Sequence, residues 1–137
     1  MAGLLLLDTS VAVALLVEDH QAHADCRHAV AGYRLGLAGH ALFETMSVMS
    51  RLPAPNRRSI AAVHQAVTTS FPDTVFLTAG GSLQAAADMA RLGIGGGAIY
   101  DALVAAAALE HEAALVTRDV RALPTYTAMG APLLVLS

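Results

Sequence analysis

The sequence predicts a single α/β domain spanning residues 1–137, with a central, mostly parallel sheet covered by helices on both faces. Three observations carry that expectation. Short apolar runs alternate with helix-like segments along the whole chain, which is the pattern of strands joined by crossover helices. The runs are continuous rather than alternating, as in strands buried on both sides. Hydrophobic residues make up 55% of the chain, mostly Ala, Leu and Val, with aromatics at 4% and no Trp, enough for one packed core of closely spaced elements.

Taken in order, Leu4 to Leu7 reads as a buried strand stopping at Asp8, and Thr9 or Ser10 is expected to cap a helix over Val11 to Val17. A helix follows from His20 to Ala31, ended by Gly32, and then a strand from Leu35 to Ala38. Ala41 to Arg51 is helical, with Leu42, Met46 and Met49 at i, i+4, i+7 as its buried stripe and Pro53 and Pro55 beyond its end. Ser59 opens a helix to Thr69, Pro72 and Asp73 make a turn, and Val75 to Leu77 is expected to be a strand. Gly81 to Leu92 is helical. The glycines at 93, 95, 96 and 97 form a loop, read as letting Asp101 approach the sheet edge unobstructed. Ile99 to His111 is an Ala-rich helix, Ala114 to Thr117 a strand, Pro124 to Met129 a short helix and Leu133 to Leu136 a last strand.

In such sheets a ligand binds beyond the carboxyl ends of the strands. That rule sorts the eleven acidic residues. Asp8 directly follows the first strand, Glu44 lies in the first turn of the helix after the second, Asp119 comes two residues after the Ala114 to Thr117 strand, and Asp101 opens the Ala-rich helix. Carboxylates brought together repel and raise one another's pKa unless a cation neutralises them. An all-oxygen set suits Mg²⁺ or Mn²⁺ rather than zinc, and an ion holding several waters favours phosphodiester hydrolysis.

Four stretches, LLLLDTSVAVALL, HALFETMSVMSR, AIYDALVAAAALE and ALVTRDVRALPTY, resemble in order the acidic blocks of the PIN-domain family, and most closely its VapC-type toxins. The resemblance covers nearly the whole chain. It implies a Mg²⁺-dependent endoribonuclease (Mn²⁺ a possible substitute), toxin of a type II toxin–antitoxin system, acting on cellular RNA and silenced by a cognate antitoxin protein. It further implies Asp8, Glu44, Asp101 and Asp119 as the catalytic acids, with Asp8, Asp101 and Asp119 as metal ligands and Glu44 as ligand or base. Hydroxyls of Thr9, Ser10 and Thr117 are candidates for orienting ligands or water, set against capping and turn roles. Arg118 and Arg121 are the nearest candidates for RNA phosphates.

Charge and composition narrow the alternatives. All eight basic residues are Arg and the formal charge is −3, so bulk basicity does not draw the substrate. The single Cys26 excludes an internal disulfide, and no uncharged apolar run approaches the ~20 residues that cross a bilayer. A soluble cytoplasmic protein is expected, without membrane association, and the high apolar share points to a homodimer. His20, His23, Cys26 and His28 invite a zinc reading, but on a helix Cys26 lies roughly 240° around from His20, so the set does not converge. GIGGGA lacks the following Lys and preceding strand of a phosphate loop. A receiver module wants a Lys that this chain lacks, and a dehalogenase-type phosphatase wants Asp where Ser10 stands. The remaining rival is a catalytically silent PIN-like protein-binding module.

Overall fold

The computed structural model describes residues 3–137. Its strands are β1 (Leu4–Leu7), β2 (Arg34–Leu37), β3 (Ala114–Thr117) and β4 (Leu133–Val135), in one sheet of order β2-β1-β3-β4 with every pairing parallel. The helices are α1 (Thr9–Leu16), α2 (His23–Val30), α3 (Ala41–Ser50), α4 (Ile60–Ser70), α5 (Ala79–Leu92), α6 (Ala98–Glu110) and α7 (Leu123–Ala128), the last preceded by a 3₁₀ turn, Val120–Ala122. Side chains alternate across a strand, so burial of Leu5, Leu6 and Leu7 in succession means that both faces of β1 are covered. Leu115 and Val116 repeat this on β3.

The sheet order fixes where a site can form. From β1 the chain crosses to β2 on one side, then returns past β1 to β3 on the other, so the direction of winding reverses between β1 and β3. Their carboxyl ends are joined there by the Asp8 amide, which donates to the Val116 carbonyl at 3.2 Å. Helix α6 presents Ala102, Val104 and Ala105 to Ala108 to the core, an almost uniformly apolar helix that is buried for that reason.

Several expectations need correction. Asp8, not Thr9 or Ser10, caps α1: its extended backbone (φ −88°, ψ 177°) lets its carboxylate accept from the Val11 amide. Val75 to Leu77 is not a strand. Val75 makes a single parallel bridge to Ala38, and the Leu37 amide donates to the Thr74 hydroxyl at 3.0 Å instead of to a carbonyl, so the ladder ends after one residue. Helix α2 is shorter than expected at both ends, since the His20 ring accepts from the Ala22 amide and holds a turn ahead of it. Helix α5 begins two residues early because the Thr78 hydroxyl accepts from the Gly81 amide and Glu110 holds Thr78 in place. On α3 the fully buried face is Ala41, Thr45 and Met49, with Leu42 and Met46 only partly covered.

The glycine loop also differs from its reading. A Cβ at Gly93, Gly95, Gly96 or Gly97 meets nothing within 4 Å, so these residues clear no path for Asp101. Two of them serve the backbone instead: Gly93 (φ 70°) ends α5 and Gly96 (φ 59°) turns toward α6. Close approach is needed elsewhere, at Gly36, where a Cβ would collide with the Asp73 carbonyl.

Candidate active site

Asp8 is 3% exposed and saturated with donors. Its Oδ1 accepts from the Ser10 hydroxyl at 2.6 Å and the Val11 amide at 3.3 Å, while Oδ2 accepts from the Thr117 hydroxyl at 2.5 Å and the Tyr126 hydroxyl at 2.9 Å. Burial pushes the Asp8 pKa up, and the bonds from Ser10, Thr117, Tyr126 and the Val11 amide oppose it without prevailing. An added cation favours the charged form and removes the conflict.

Ser10 and Thr117 do more than cap. The Ser10 hydroxyl accepts from the Arg118 amide at 2.8 Å and the Thr117 hydroxyl from the Asp119 amide at 3.0 Å, so the exit of β3 is fastened to Asp8 through both. Thr9 faces α3, donating to the Ala41 carbonyl at 3.5 Å and accepting from buried Thr45 at 3.3 Å. Tyr126 is the chief residue that the sequence reading passed over. It is 2% exposed, its hydroxyl is pushed far above the usual tyrosine range first by burial and then by Asp8, and it stays a donor to Asp8. A Tyr on a short helix directly after an acidic block is the one signal that marks it, since a buried phenol needs a polar partner.

The other three acids surround this core. Asp101 lies in the first turn of α6 and is buried; Asp119 precedes the 3₁₀ turn and is partly exposed. Arg121 joins them, with Nη1 at 3.1 Å from Asp101 Oδ2 and Nη2 at 3.0 Å from Asp119 Oδ2. Glu44, in the first turn of α3, pairs with His40 at 3.5 Å. Its pKa is raised first by burial; His40 pulls the other way, and the charges of Asp101 and Asp8 push it further up. Glu44 therefore senses both acids electrostatically, and Tyr126 senses Asp8, Asp101 and Asp119 in the same manner. Neither arginine points freely outward: the Arg118 Nε donates to the Ser137 carbonyl oxygen at 3.1 Å, and Arg121 is held by the acids.

The donor set fits a hard divalent cation. It is made only of oxygens, and among the described residues no three His, Cys, Asp or Glu side chains converge closely enough to enclose an ion. Mg²⁺ needs no such cage, because it keeps several waters and takes one or two carboxylates. In the His20, His23, Cys26 and His28 group the side chains have other partners: the His20 ring accepts from the Ala22 amide at 3.0 Å, the His23 ring bonds the Ala14 carbonyl at 2.8 Å and Cys26 is buried.

The PIN domain model matches residues 5–126, from β1 to Tyr126. The chain belongs to the PIN-domain family. Among curated relatives, this PIN domain is 44% identical to "Ribonuclease VapC27" of Mycobacterium tuberculosis over 126 residues, 92% of each chain. It is 38% identical over 120 residues to "Ribonuclease VapC40" of the same organism, covering 87% of this chain and 89% of that one. The fold of this PIN domain also matches chains in solved structures of VapBC2 from Rickettsia felis bound to a promoter DNA fragment and of DNA-bound VapBC from Salmonella typhimurium. The TM-score is 0.68 for each at 14% and 18% identity, over 98% of this chain, and these likenesses speak for the fold alone.

Proposed function

We propose that this PIN domain is a divalent-metal-dependent endoribonuclease, the toxin of a VapBC-type pair, that hydrolyses phosphodiester bonds in cellular RNA and is silenced by a cognate antitoxin. The observation that carries the reading is Asp8, a carboxylate buried at the point where the sheet reverses its winding and braced by four donors, with Asp101, Asp119 and Glu44 around it. The similarity to relatives named ribonuclease VapC supports the reaction class, and with it the toxin reading from which the antitoxin partner follows.

Mg²⁺, with Mn²⁺ as a substitute, is the ion this oxygen set suits; Asp8, giving up one of its four accepted hydrogen bonds, and Asp101 with Asp119 would hold it, and it would supply charge neutralisation at the phosphoryl group and an acidified water. The protein's own part is positioning and proton transfer. Ser10, Thr117, Tyr126 and the Val11 amide keep the Asp8 carboxylate in one orientation. Glu44, with a raised pKa and a side chain 37% exposed, is suited to take the proton of an attacking water. The Arg121 side chain is 71% exposed, so its guanidinium is free to leave the acids for a substrate phosphate. A homodimer is the expected assembly, from the 55% hydrophobic share of the chain.

The test is cleavage of RNA by purified protein with EDTA, Mg²⁺ or Mn²⁺, beside Asp8→Asn and Asp101→Asn, with sequencing of the cleaved ends. Ion-dependent cleavage lost in both variants is the expected result. Wild-type cleavage by either variant, or none by the wild type with either ion, rejects the reading in favour of a silent protein-binding domain. Light scattering checks the dimer, which a monomer mass refutes.

A further inference from the structure

Beside the acids lies a surface that the reaction as described leaves unused. Phe43, Phe76 and Tyr100 are exposed at 56%, 47% and 52%, although the chain holds only three Phe and three Tyr in all. They are gathered rather than scattered. The His40 ring stacks on Tyr100 with centroids 4.9 Å apart and planes at 21°, and Phe43 meets Phe76 at 6.2 Å. A cleft of about 190 Å³ lined by His40, Phe43, Phe76, Leu77 and Leu103 runs beside the Phe pair, and Tyr100 adjoins it through its stack on His40.

We infer that this aromatic cleft is a subsite for an unpaired nucleobase of a single-stranded RNA whose phosphodiester lies over the neighbouring carboxylates; the inference rests on the nuclease reading above. Two aromatics are chain neighbours of the acids: Phe43 precedes Glu44 on α3, and Tyr100 precedes Asp101 on α6. His40 ties the two sets together by stacking on Tyr100 and pairing with Glu44. Through His40 the rings adjoin Glu44, so a base stacked on them belongs to the same strand as a phosphodiester over the acids.

Charge points the same way. Nucleic-acid affinity ordinarily comes from cations neutralising phosphates, but here the formal charge is −3 and Lys is absent, which leaves that role to a few arginines such as Arg121. Stacking on aromatic faces adds a second contribution, and it requires a flexible, unpaired strand whose bases can turn outward. A protein segment seated here would exclude substrate from Glu44 and Asp101, as a silencing antitoxin would, and so would compete for this surface rather than share it with the reaction. RNA is the occupant that uses both the rings and the acids.

The test mixes short single-stranded RNAs, carrying 2-aminopurine at successive positions, with the full chain in EDTA, and measures initial cleavage rates with Mg²⁺ in parallel. The wild type quenches the probe at one position relative to the cleaved bond. Tyr100→Ala and Phe43→Ala each weaken binding about fivefold or more, the effect of losing one stacked base. Tyr100→Phe restores it, and an abasic nucleotide at the quenched position weakens the wild type but not Tyr100→Ala. The abasic arm needs no protein variant and stands if an alanine variant fails to fold. The proposal fails if the alanine variants match the wild type in affinity and kcat/KM, or if they lose only dimer mass or only binding to an antitoxin. Wild-type protein that cleaves RNA without position-specific quenching rejects the subsite alone, whereas wild-type protein that cleaves no RNA rejects the nuclease reading with it.

Discussion

Arg121 lies 3.1 Å from Asp101, close enough for its guanidinium to neutralise the one acid of the quartet that sits on the Ala-rich helix α6. Its other nitrogen meets Asp119 at 3.0 Å. The side chain thus stands in the region a divalent ion would share, as a cation supplied by the chain itself.

Competition follows from that placement. Arg121→Ala is expected to tighten Mn²⁺ binding by about threefold to tenfold, because its guanidinium, itself largely exposed, pairs with buried Asp101 and partly exposed Asp119, and exposed ion pairs are worth up to about 1 kcal/mol. Titration calorimetry at low ionic strength measures it, and an unchanged Kd counts against the idea. The same variant loses cleavage rate at saturating metal if Arg121 also serves the substrate phosphate.

Asp8→Asn separates stability from activity. Burial holds the Asp8 pKa above its ordinary value, so the folded state keeps a proton that the unfolded chain has already released. Stability of the metal-free protein therefore falls as pH rises from the ordinary Asp range through the raised value, and the amide, which does not titrate, abolishes that fall. The variant is expected to be inactive, and in EDTA its melting temperature should lack the wild type's fall with rising pH, on top of a constant loss because the Asn amide nitrogen cannot accept from two of the four donors. A pH dependence of melting equal to that of the wild type would refute the sign.

Tyr126→Phe tests the brace. Its hydroxyl donates to Asp8 Oδ2 and lowers the Asp8 pKa, so its loss shifts the acid limb of the pH–rate profile to higher pH while activity at alkaline pH changes less. A uniform loss across the profile would mean that Tyr126 acts through packing alone.

Metal affinity itself should rise with pH over the acid range, since Asp8 and Glu44 both hold protons above their ordinary values and must shed them to bind an ion. Calorimetry at several pH values, in buffers of different ionisation heat, reads the protons released. Release of none would contradict both shifts.

Gly36→Ala probes the fold apart from the chemistry. The added methyl group strikes the Asp73 backbone, and overpacking of this kind costs about 1–3 kcal/mol. Denaturant unfolding should show that loss, with cleavage per folded molecule retained.

Much of this molecule is legible without coordinates. Strands β1 and β3 lie where continuous apolar runs stand, because burial on both faces leaves no polar alternation to blur them, whereas β2 begins on exposed Arg34 and β4 is exposed at Leu134 and Val135. The places of Asp8, Glu44, Asp101 and Asp119 in the fold are legible for a related reason: each follows a strand or lies in the first turn of a helix. The strand expected at Val75 failed because Thr74 puts its hydroxyl where a carbonyl belongs, a choice of partner that apolar runs do not encode.

By itself, then, the sequence determined the fold class, the order of the elements and the acids at their junctions, since hydrophobic periodicity and helix-end chemistry are local properties. Tertiary structure alone decided the partners. Tyr126 reaches Asp8 from 118 residues away and Thr117 from 109, Arg121 spans Asp101 and Asp119, and His40 stacks on Tyr100 across two helices. Each is a pairwise contact between segments that only the packed sheet brings together, where low dielectric and fixed geometry turn separate side chains into one site.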